Sequence, residues 1–138
     1  MITIKKQEIV KLEDVLHLYK AVGWTNYTHQ PEMLEQALSH SLVIYLALDG
    51  DAVVGLIRLV GDGFSSIFVQ DLIVLPSYQR QGIGRFLMKE ALEDYKDAYQ
   101  VQLVIEQTEK NVGFYRSLGF EILSTYNCIG MTWENREK

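Results

Sequence analysis

The sequence predicts an α/β protein built on a single mixed, mostly antiparallel central sheet that is flanked by helices, with the element order β-α-α-β-β-β-α-β-α-β-β. Apolar residues recur with helical spacing near the N-terminus and again after residue 82, which indicates amphipathic helices. Between these segments lie β-rich runs separated by glycine turns at 49–51 and 61–63. No internal repeat, low-complexity tract or linker divides the 138 residues, so we expect residues 1–138 to form one domain.

The N-terminal part is predicted to contain one strand and two helices. Ile2–Lys5 has the composition of a short strand. Gly23 is the predicted end of the first helix, whose apolar face consists of Leu12, Val15, Leu16, Tyr19 and Val22. Pro31 begins the second helix, because its fixed φ suits the first helical turn.

The centre of the chain is predicted to form three antiparallel strands. Leu42–Leu48 and Ala52–Val60 are joined by Asp49-Gly50-Asp51, a hairpin turn in which glycine tolerates a positive φ. Ser66–Val74 is the third strand, and it follows the second glycine turn.

The C-terminal half returns to helical spacing and is predicted to end in strands. A helix is predicted from Gly82 to about Asp97, followed by a strand at Val101–Ile105 in which apolar residues alternate. Thr108 is the predicted cap of the next helix. The last predicted elements are two strands, at 120–124 and 128–133.

Composition excludes several classes of protein. The net charge is −5 and no dense stripe of lysine and arginine is present, which argues against nucleic-acid binding as the main role. No apolar run approaches the roughly 20 residues of a membrane span, and the N-terminus lacks a signal-peptide pattern, so we expect a cytoplasmic protein. The single cysteine, Cys128, excludes an internal disulfide and a cysteine-based zinc cage, and its position predicts a buried side chain. No histidine has a partner at metal-ligand spacing, so no metal is expected.

The most informative stretch is the glycine-rich turn after the third central strand. It consists of a proline-closed loop and then Gln79-Arg80-Gln81-Gly82-Ile83-Gly84, which opens a helix. Glycines allow close approach to the backbone, and the helix N-terminus adds roughly half a positive charge, so the turn suits an anion. Arg80 and Arg85 add charge beside it. The turn lacks the lysine of a P-loop and the third glycine of a dinucleotide-binding fingerprint, which excludes both motifs.

Two segments together resemble the GCN5-related N-acetyltransferase (GNAT) superfamily. Leu72–Gly84 is similar to its motif A, with the signature Arg/Gln-x-x-Gly-x-Gly/Ala, and Asn111–Phe120 is similar to its motif B, which ends Phe-Tyr-x-x-x-Gly-Phe. The motifs stand in the family's order with a predicted strand between them. A looser resemblance links the chain to a subgroup with plant serotonin N-acetyltransferase-like proteins, on Val22-Gly23-Trp24, Arg58, Gly61-Asp62-Gly63, Asp71 and Gly130-Met131-Thr132-Trp133.

The resemblance implies the acyl-CoA N-acyltransferase fold and acetyl-CoA as co-substrate. It implies that the glycine turn binds the pyrophosphate, that the preceding strand pairs with the pantetheine arm, and that two parallel strands splay apart beside the thioester. Backbone N–H groups near Ile73 and Val74 would then polarise the thioester carbonyl. The implied cofactor-binding residues are Leu72, Ile73, Val74, Gln79, Arg80, Gln81, Gly82, Ile83, Gly84, Arg85, Thr108 and Asn111.

Tyr115 and Asp71 are the predicted catalytic residues. The resemblance puts Tyr115 at the family's general-acid position; because a tyrosine pKa near 10 exceeds a thiol pKa of about 8.5, we expect it to hydrogen-bond the leaving thiolate. The alternative for Tyr115 is a core aromatic. Asp71 lies in an apolar strand, where burial would raise the pKa of the carboxyl and suit it to act as a base; its alternatives are to orient an ammonium ion or water, or to pair with Arg58. Many relatives carry a glutamate on the later strand, where this chain has Leu103.

The predicted reaction is direct transfer of an acetyl group from acetyl-CoA to a primary amine of a small molecule. Trp24 and Tyr27, between the first two helices, together with Asp71 are the predicted acceptor-binding residues, and Trp24 also suits packing over the core. Two alternatives stay open: acetylation of a protein N-terminus or lysine, and a non-catalytic sensor that binds CoA. The apolar last strands suit pairing across a homodimer.

Overall fold

The structure is a computed structural model that describes residues 1–134. The chain divides into two compact units, Met1–Leu103 and Val104–Lys138. The expectation that residues 1–138 form one domain stays a prediction. None of the helices in residues 1–134 has the length and apolarity needed to cross a bilayer.

The first unit contains a five-stranded sheet and the helices that cover it. Its elements are β1 (Ile2–Gln7), α1 (Leu12–Ala21), α2 (Thr25–Thr28), α3 (Pro31–Ser39), β2 (Val43–Asp49), β3 (Ala52–Gly61), β4 (Ser66–Val74), a 3-10 helix (Pro76–Tyr78), α4 (Ile83–Asp94) and β5 (Gln100–Leu103). The strands lie in the order β1-β2-β3-β4-β5, and neighbours are antiparallel except β4 and β5, which are parallel. This mixed sheet with flanking helices confirms the predicted fold class. The one-turn helix α2 was not predicted.

Both faces of the sheet are covered. The core on the α1 side consists of Val10, Val15, Leu18, Tyr19, Tyr27, Leu34, Leu38, Ile44, Leu46, Leu56 and Ile73. On the opposite face α4 buries Ile83, Leu87, Met88 and Ala91. Side chains alternate along a strand, so Tyr45 points away from its neighbour Ile44 and donates a hydrogen bond to Asp94 at the end of α4, at 2.6 Å. Of the predicted apolar face of α1, Val15 and Tyr19 are buried in the core, and Leu12, Leu16 and Val22 are partly buried against it.

The second unit contains one α-helix in its described residues, 104–134. This helix, α5, spans Glu109–Ser117. The side-chain oxygen of Thr108 accepts a hydrogen bond from the N–H of Asn111 at 3.1 Å, which confirms the predicted cap. A 3-10 helix follows at Leu123–Tyr126.

The prediction of two C-terminal strands is wrong for the described residues. A strand needs a neighbouring strand to satisfy its backbone, whereas here the chain bonds locally. The N–H of Phe120 donates to the carbonyl of Tyr115, and that of Cys128 donates to the carbonyl of Leu123. Residues 128–134 contain no strand. Cys128 is accordingly exposed, not buried as predicted.

Candidate functional site

The first part of the candidate site is an open stretch of strand β4. Strand β5 pairs with β4 only from Ser66 to Val69, where Val69 lies opposite Leu103, and β4 continues to Val74. Because β5 ends at Leu103 and not at the predicted Ile105, residues 70–74 have a partner strand on the β3 side alone within residues 1–134. The two parallel strands therefore part at this point, as the resemblance implies.

A β-bulge marks the point where the strands part. Arg58 and Leu59 are consecutive on β3, but their partners on β4 are Asp71 and Val69, so Gln70 is an extra residue. A bulge of this kind bends its strand and disrupts the ladder locally. The bulge thus accounts for the end of the pairing with β5.

The open stretch presents backbone groups to the side that β5 has left. The N–H of Leu75 donates to the carbonyl of Val54 on β3 at 2.9 Å. Hydrogen bonds to β3 recur at every second residue of β4, so the backbones of Ile73 and Asp71 also face β3. In an antiparallel ladder the residues between them point the other way, and these are Leu72 and Val74. Of the two N–H groups predicted to face the thioester, that of Val74 points outward and that of Ile73 is directed to β3.

The loop between β4 and α4 is anchored by side chains and contains two left-handed residues. The hydroxyl of Tyr78 donates to Asp49 at 2.6 Å, and the side chain of Gln79 donates to the carbonyl of Val74 at 3.0 Å. Arg80 has a φ of 65° and Gly82 a φ of 80°. Glycine adopts this region freely, whereas another residue loses about 1–2 kcal/mol there. The turn at 79–82 therefore depends on Gly82.

Helix α4 begins with backbone donors that have no acceptor in the helix. Gly82 caps it without a side-chain hydrogen bond, and the N–H of Phe86 is the donor that reaches the carbonyl of Gly82, at 2.9 Å. The N–H groups of Ile83 and Gly84 precede it and so lack an intrahelical acceptor. Together with the helix dipole and the exposed Arg80 they favour an anion.

A buried ion pair lies on β3 and β4 at the bulge. Arg58 and Asp71 are 4% and 2% exposed, and Nε of Arg58 donates to Oδ2 of Asp71 at 2.7 Å. The Tyr19 hydroxyl donates to the same oxygen at 2.8 Å, and the Tyr27 hydroxyl donates to Oδ1 at 3.0 Å. Arg58 also donates to the hydroxyl oxygens of Ser41 and Tyr27, at 3.2 and 3.3 Å. The ion pair is thus fully supplied with hydrogen bonds.

These donors give Asp71 a structural role as the partner of Arg58. Arg58 and Tyr19 both donate to Oδ2 of Asp71 and Tyr27 donates to Oδ1, so both carboxylate oxygens are occupied by groups of the fold. Burial, and then the charge of Asp71, raise the pKa of both Tyr19 and Tyr27, so both hydroxyls stay protonated. Burial acts to lower the pKa of Arg58, but Asp71, with smaller contributions from Tyr19 and Tyr27, offsets this, and the pKa is raised. The structure shows the ion pair that the sequence left open as an alternative, and a role as base stays a prediction.

The predicted acceptor-binding residues lie together in the same region. The oxygen of Tyr27 also accepts a hydrogen bond from Nε2 of Gln70 at 3.3 Å. The rings of Tyr19 and Tyr27 meet edge to face at 5.1 Å, and Trp24 contacts both. Trp24 packs partly buried against the core, which is the alternative that the sequence left open. Binding of an acceptor by Trp24, Tyr27 and Asp71 stays a prediction.

In the second unit, Tyr115 lies on α5 between two other aromatic residues. Its ring meets those of Phe114 and Phe120 edge to face, at 5.0 and 5.8 Å. Burial raises the pKa of Tyr115, which keeps the hydroxyl protonated at neutral pH. In the part of the chain that the structure describes, no hydrogen bond occupies this hydroxyl. The packing fits the core-aromatic alternative, and the unoccupied hydroxyl fits a donor to a ligand.

Thr108 and Asn111, both predicted to bind the cofactor, shape the start of α5. Thr108 is the cap, and the side-chain amide of Asn111 donates to the carbonyl of Glu106 at 2.9 Å. Contacts of Thr108 and Asn111 with a cofactor stay predictions.

An open cleft of about 850 Å³ lies between the start of α1 and the β2–β3 hairpin and extends to Leu75 and Tyr78. Its lining contains both signs of charge, from Lys5, Lys11, Glu13, Asp14 and Asp51. The three predicted acceptor-binding residues are not part of this lining. Within residues 1–134 no group of three histidine, cysteine or acidic side chains is placed to hold a metal ion.

Sequence reasoning missed two residues of this region, Tyr19 and Gln70. Helical spacing assigned Tyr19 to the apolar face of α1 but carried no sign of its hydrogen bond to Asp71. Nothing in the local sequence marks Gln70 as the extra residue of a bulge, because no glycine accompanies it.

Comparisons with known proteins agree on one family. A profile of the acetyltransferase (GNAT) domain matches residues 5–128. Serotonin N-acetyltransferase 2, chloroplastic, of Oryza sativa subsp. japonica is 35% identical over 95 residues, which are 66% of this chain and 48% of the rice protein. GCN5-related N-acetyltransferase 1, chloroplastic, of Arabidopsis thaliana is 27% identical over 115 residues, which are 82% of this chain and 57% of that protein. The chain thus spans about half the length of these two relatives.

Solved structures share the fold. A GNAT-family acetyltransferase from Streptococcus pneumoniae TIGR4 is 85% identical with a TM-score of 0.91, over 99% of this chain and all (100%) of the other. The PaiA N-acetyltransferase of Thermoplasma acidophilum, solved in complex with coenzyme A, is 20% identical with a TM-score of 0.67, over 87% of this chain and 91% of the other. At that identity the second likeness concerns the fold alone.

Proposed function

Because this chain belongs to the GNAT acetyltransferase family, we propose that it is an acetyl-CoA-dependent N-acetyltransferase that transfers the acetyl group directly to a primary amine of a small molecule. One observation carries the proposal. Residues 70–84 form a continuous run that presents outward backbone N–H groups, first from the open stretch of β4 and then from the start of α4. Donors in this order match a thioester on an extended pantetheine arm that is followed by a pyrophosphate.

The open stretch of β4 suits the pantetheine arm. The amide groups of the arm form hydrogen bonds with the backbone of an exposed strand, as an added strand would. Leu72 and Val74 offer their backbone to this side, and Ile73 lies between them. The pyrophosphate then reaches the turn at Gln79–Arg85, where backbone donors and the charges of the arginines neutralise it.

Attack on the thioester needs a polarised carbonyl and a neutral amine. An outward N–H of β4 is a fixed donor for the oxygen that becomes negative in the transition state. An alkyl amine with a pKa near 10.4 requires about 4.6 kcal/mol to lose its proton at pH 7. For Asp71 we propose a positioning role that differs from orienting an ammonium ion or water: it accepts hydrogen bonds from Tyr19 and Tyr27 and so fixes their side chains. Water then takes the proton of the amine.

Tyr115 is proposed to stabilise the leaving thiolate. Its hydroxyl is protonated because burial raises its pKa, and it has no other hydrogen bond among the described residues. A donated hydrogen bond lowers the energy of the thiolate without complete transfer of the proton.

The variant Tyr115→Phe tests this role. It should lower kcat at least about tenfold, in line with the usual contribution of acid–base groups, and leave the calorimetric affinity for acetyl-CoA unchanged. Tyr126→Phe, at an exposed tyrosine of the same unit, is the matched control and should retain full activity. An unchanged kcat in Tyr115→Phe would contradict the assignment.

A panel of acceptors distinguishes the proposal from its two alternatives. The release of free CoA thiol is measured with small primary amines and with peptides that carry a free N-terminus or a lysine. Turnover on small amines supports the proposal, whereas turnover on peptides alone supports a protein acetyltransferase. Tight binding of acetyl-CoA with no turnover on either group supports a CoA-binding sensor.

We also propose a homodimer formed through the C-terminal segment. Ile129, Met131 and Trp133 alternate along 128–134 and are 75%, 92% and 83% exposed. Three large apolar side chains this exposed within one short segment suit an interaction site, and we propose a second copy of the chain as the partner.

Light scattering tests this assembly. The wild-type chain should have the mass of two copies, and Met131→Lys should have the mass of one. Met33→Lys, at an isolated and less exposed methionine of α3, should stay dimeric. A monomeric wild-type chain at micromolar concentration would refute the dimer.

A further inference from the structure

We propose that Gln70 binds and orients the acceptor amine through its side-chain carbonyl oxygen; this inference rests on the function proposed above. Gln70 is the extra residue of the bulge in β4 and the first residue beyond the end of the ladder with β5. It therefore stands at the point where the open stretch begins. Bulges are frequent beside active sites because they redirect a side chain.

The bulge directs Gln70 and Asp71 to the same place. In a regular strand consecutive side chains point to opposite faces. Here Nε2 of Gln70 lies 3.3 Å from the oxygen of Tyr27, and Oδ1 of Asp71 lies 3.0 Å from the same oxygen. Two consecutive residues thus contact one hydroxyl, which a strand without the bulge does not allow.

The hydrogen bonds of Tyr27 fix the orientation of the Gln70 amide. The hydroxyl has a single proton, and the carboxylate of Asp71 accepts it. The atom of Gln70 that faces the Tyr27 oxygen must then be a donor, so it is the amide nitrogen. The carbonyl oxygen Oε1 points away from Tyr27, and no group within residues 1–134 donates to it.

Gln70 connects a rigid, buried network to solvent. Tyr27 and Asp71 are buried, whereas Gln70 is exposed. The buried hydroxyl of Tyr27 therefore holds the amide nitrogen of Gln70, and the side-chain oxygen of Gln70 is available to a ligand from solvent. This combination suits a ligand with N–H donors, and a primary amine has them in both its neutral and its protonated form.

The charge of the side chain matters for the reaction. A carboxylate beside the amine would favour the ammonium form and raise the pKa of the acceptor. A neutral carbonyl accepts from the amine without this penalty, so the nucleophile loses its proton more readily. Gln70 thus positions the acceptor and leaves its basicity nearly unchanged.

The test compares Gln70→Met and Gln70→Glu with the wild-type chain. Gln70→Met keeps the length of the side chain and removes its oxygen, so KM for the amine should rise about three- to tenfold, the value of one hydrogen bond, while KM for acetyl-CoA stays constant. Gln70→Glu restores an acceptor oxygen; it should recover the KM for the amine and move the acid limb of the kcat–pH profile to higher pH. Gln100→Met, at an exposed glutamine on β5, is the control and should change neither KM.

The results separate this inference from the proposed function. An equal KM for the amine in wild type and Gln70→Met would overturn the role of Gln70 while acetyl transfer stands. A parallel rise of both KM values would show a merely structural role and would overturn it as well. Failure of the wild-type chain to acetylate any amine, with acetyl-CoA still bound, would overturn the proposed function and this inference together.

Discussion

The buried ion pair and the glycine turn are both strongly polar regions of the first unit, and they satisfy their hydrogen bonds in opposite ways. At the ion pair, Asp71 accepts from three side chains of the same unit. At the turn, the backbone donors of Ile83 and Gly84 have no acceptor in their helix. Polar groups that are satisfied within the fold give rigidity, whereas donors without an intrahelical acceptor, in a fixed array, are suited to a ligand. The comparison therefore predicts that substitutions at the first region affect stability and those at the second affect binding.

The largest expected effect on stability comes from removing the buried guanidinium of Arg58. Arg58→Met leaves the charge of Asp71 buried without its counter-ion, so it should lower the free energy of unfolding by about 3–5 kcal/mol, measured by denaturant titration. Arg80→Met, at the exposed arginine of the turn, should change it by less than about 0.5 kcal/mol and weaken the binding of acetyl-CoA instead. Equal destabilisation by the two variants would remove the distinction between the regions.

A substitution in the glycine turn tests whether this second region affects the binding of acetyl-CoA. Gly82 has a φ of 80°, a conformation that a β-branched residue adopts only with strain, so Gly82→Val should reorient the donors of the turn. The affinity for acetyl-CoA should fall at least about tenfold, which is about 1.4 kcal/mol, by calorimetry. Gly23→Val, at a glycine with a φ of 72° that lies outside the turn and its anchors, has a similar backbone penalty and should bind normally. Normal binding by Gly82→Val would contradict the assignment of the turn.

The smallest expected effect is the response of the buried tyrosines to alkaline pH. Because the pKa values of Tyr19 and Tyr27 are raised in the folded chain, the unfolded chain loses these protons first, and stability falls as the pH rises beyond about 10. Denaturant titrations across this range should show the decline. Tyr27→Phe should make it shallower, and Tyr99→Phe, at an exposed tyrosine, should leave it as in wild type. A decline of equal slope in all three chains would exclude Tyr27 as a cause.

Local sequence signals predicted the elements that depend on local physics. Helical spacing in α1 and α4, the turn at Asp49–Asp51 and the cap at Thr108 each follow from a few neighbouring residues. The glycine turn was also identified in this way, because positive φ at Gly82 and unbonded donors at a helix start are properties of a short segment. The chemistry of that turn was therefore accessible from the sequence.

Features that depend on distant pairing were not accessible. The alternation of Ile129, Met131 and Trp133 is the pattern of a strand, but a strand also requires a partner, and none is present for residues 128–134 in the described chain. The ion pair with Arg58 was foreseen as one alternative for Asp71. Only the register of β3 and β4 places the two side chains opposite each other, and the bulge at Gln70 sets that register.

The extra residue Gln70 divides β4 into two halves in which odd-numbered side chains point to opposite faces of the sheet. Val69 lies opposite Leu59 and Asp71 opposite Arg58, so the odd-numbered residues change from the α4 face to the α1 face across Gln70. Deletion of this one residue would make Val69 and Asp71 consecutive and leave them opposite Leu59 and Arg58, so the ladder would become regular and the ion pair would be kept. The extra residue is therefore not needed for the pairing of β3 with β4, and what its loss would remove is the bulge itself, together with the side chain that the bulge directs to Tyr27.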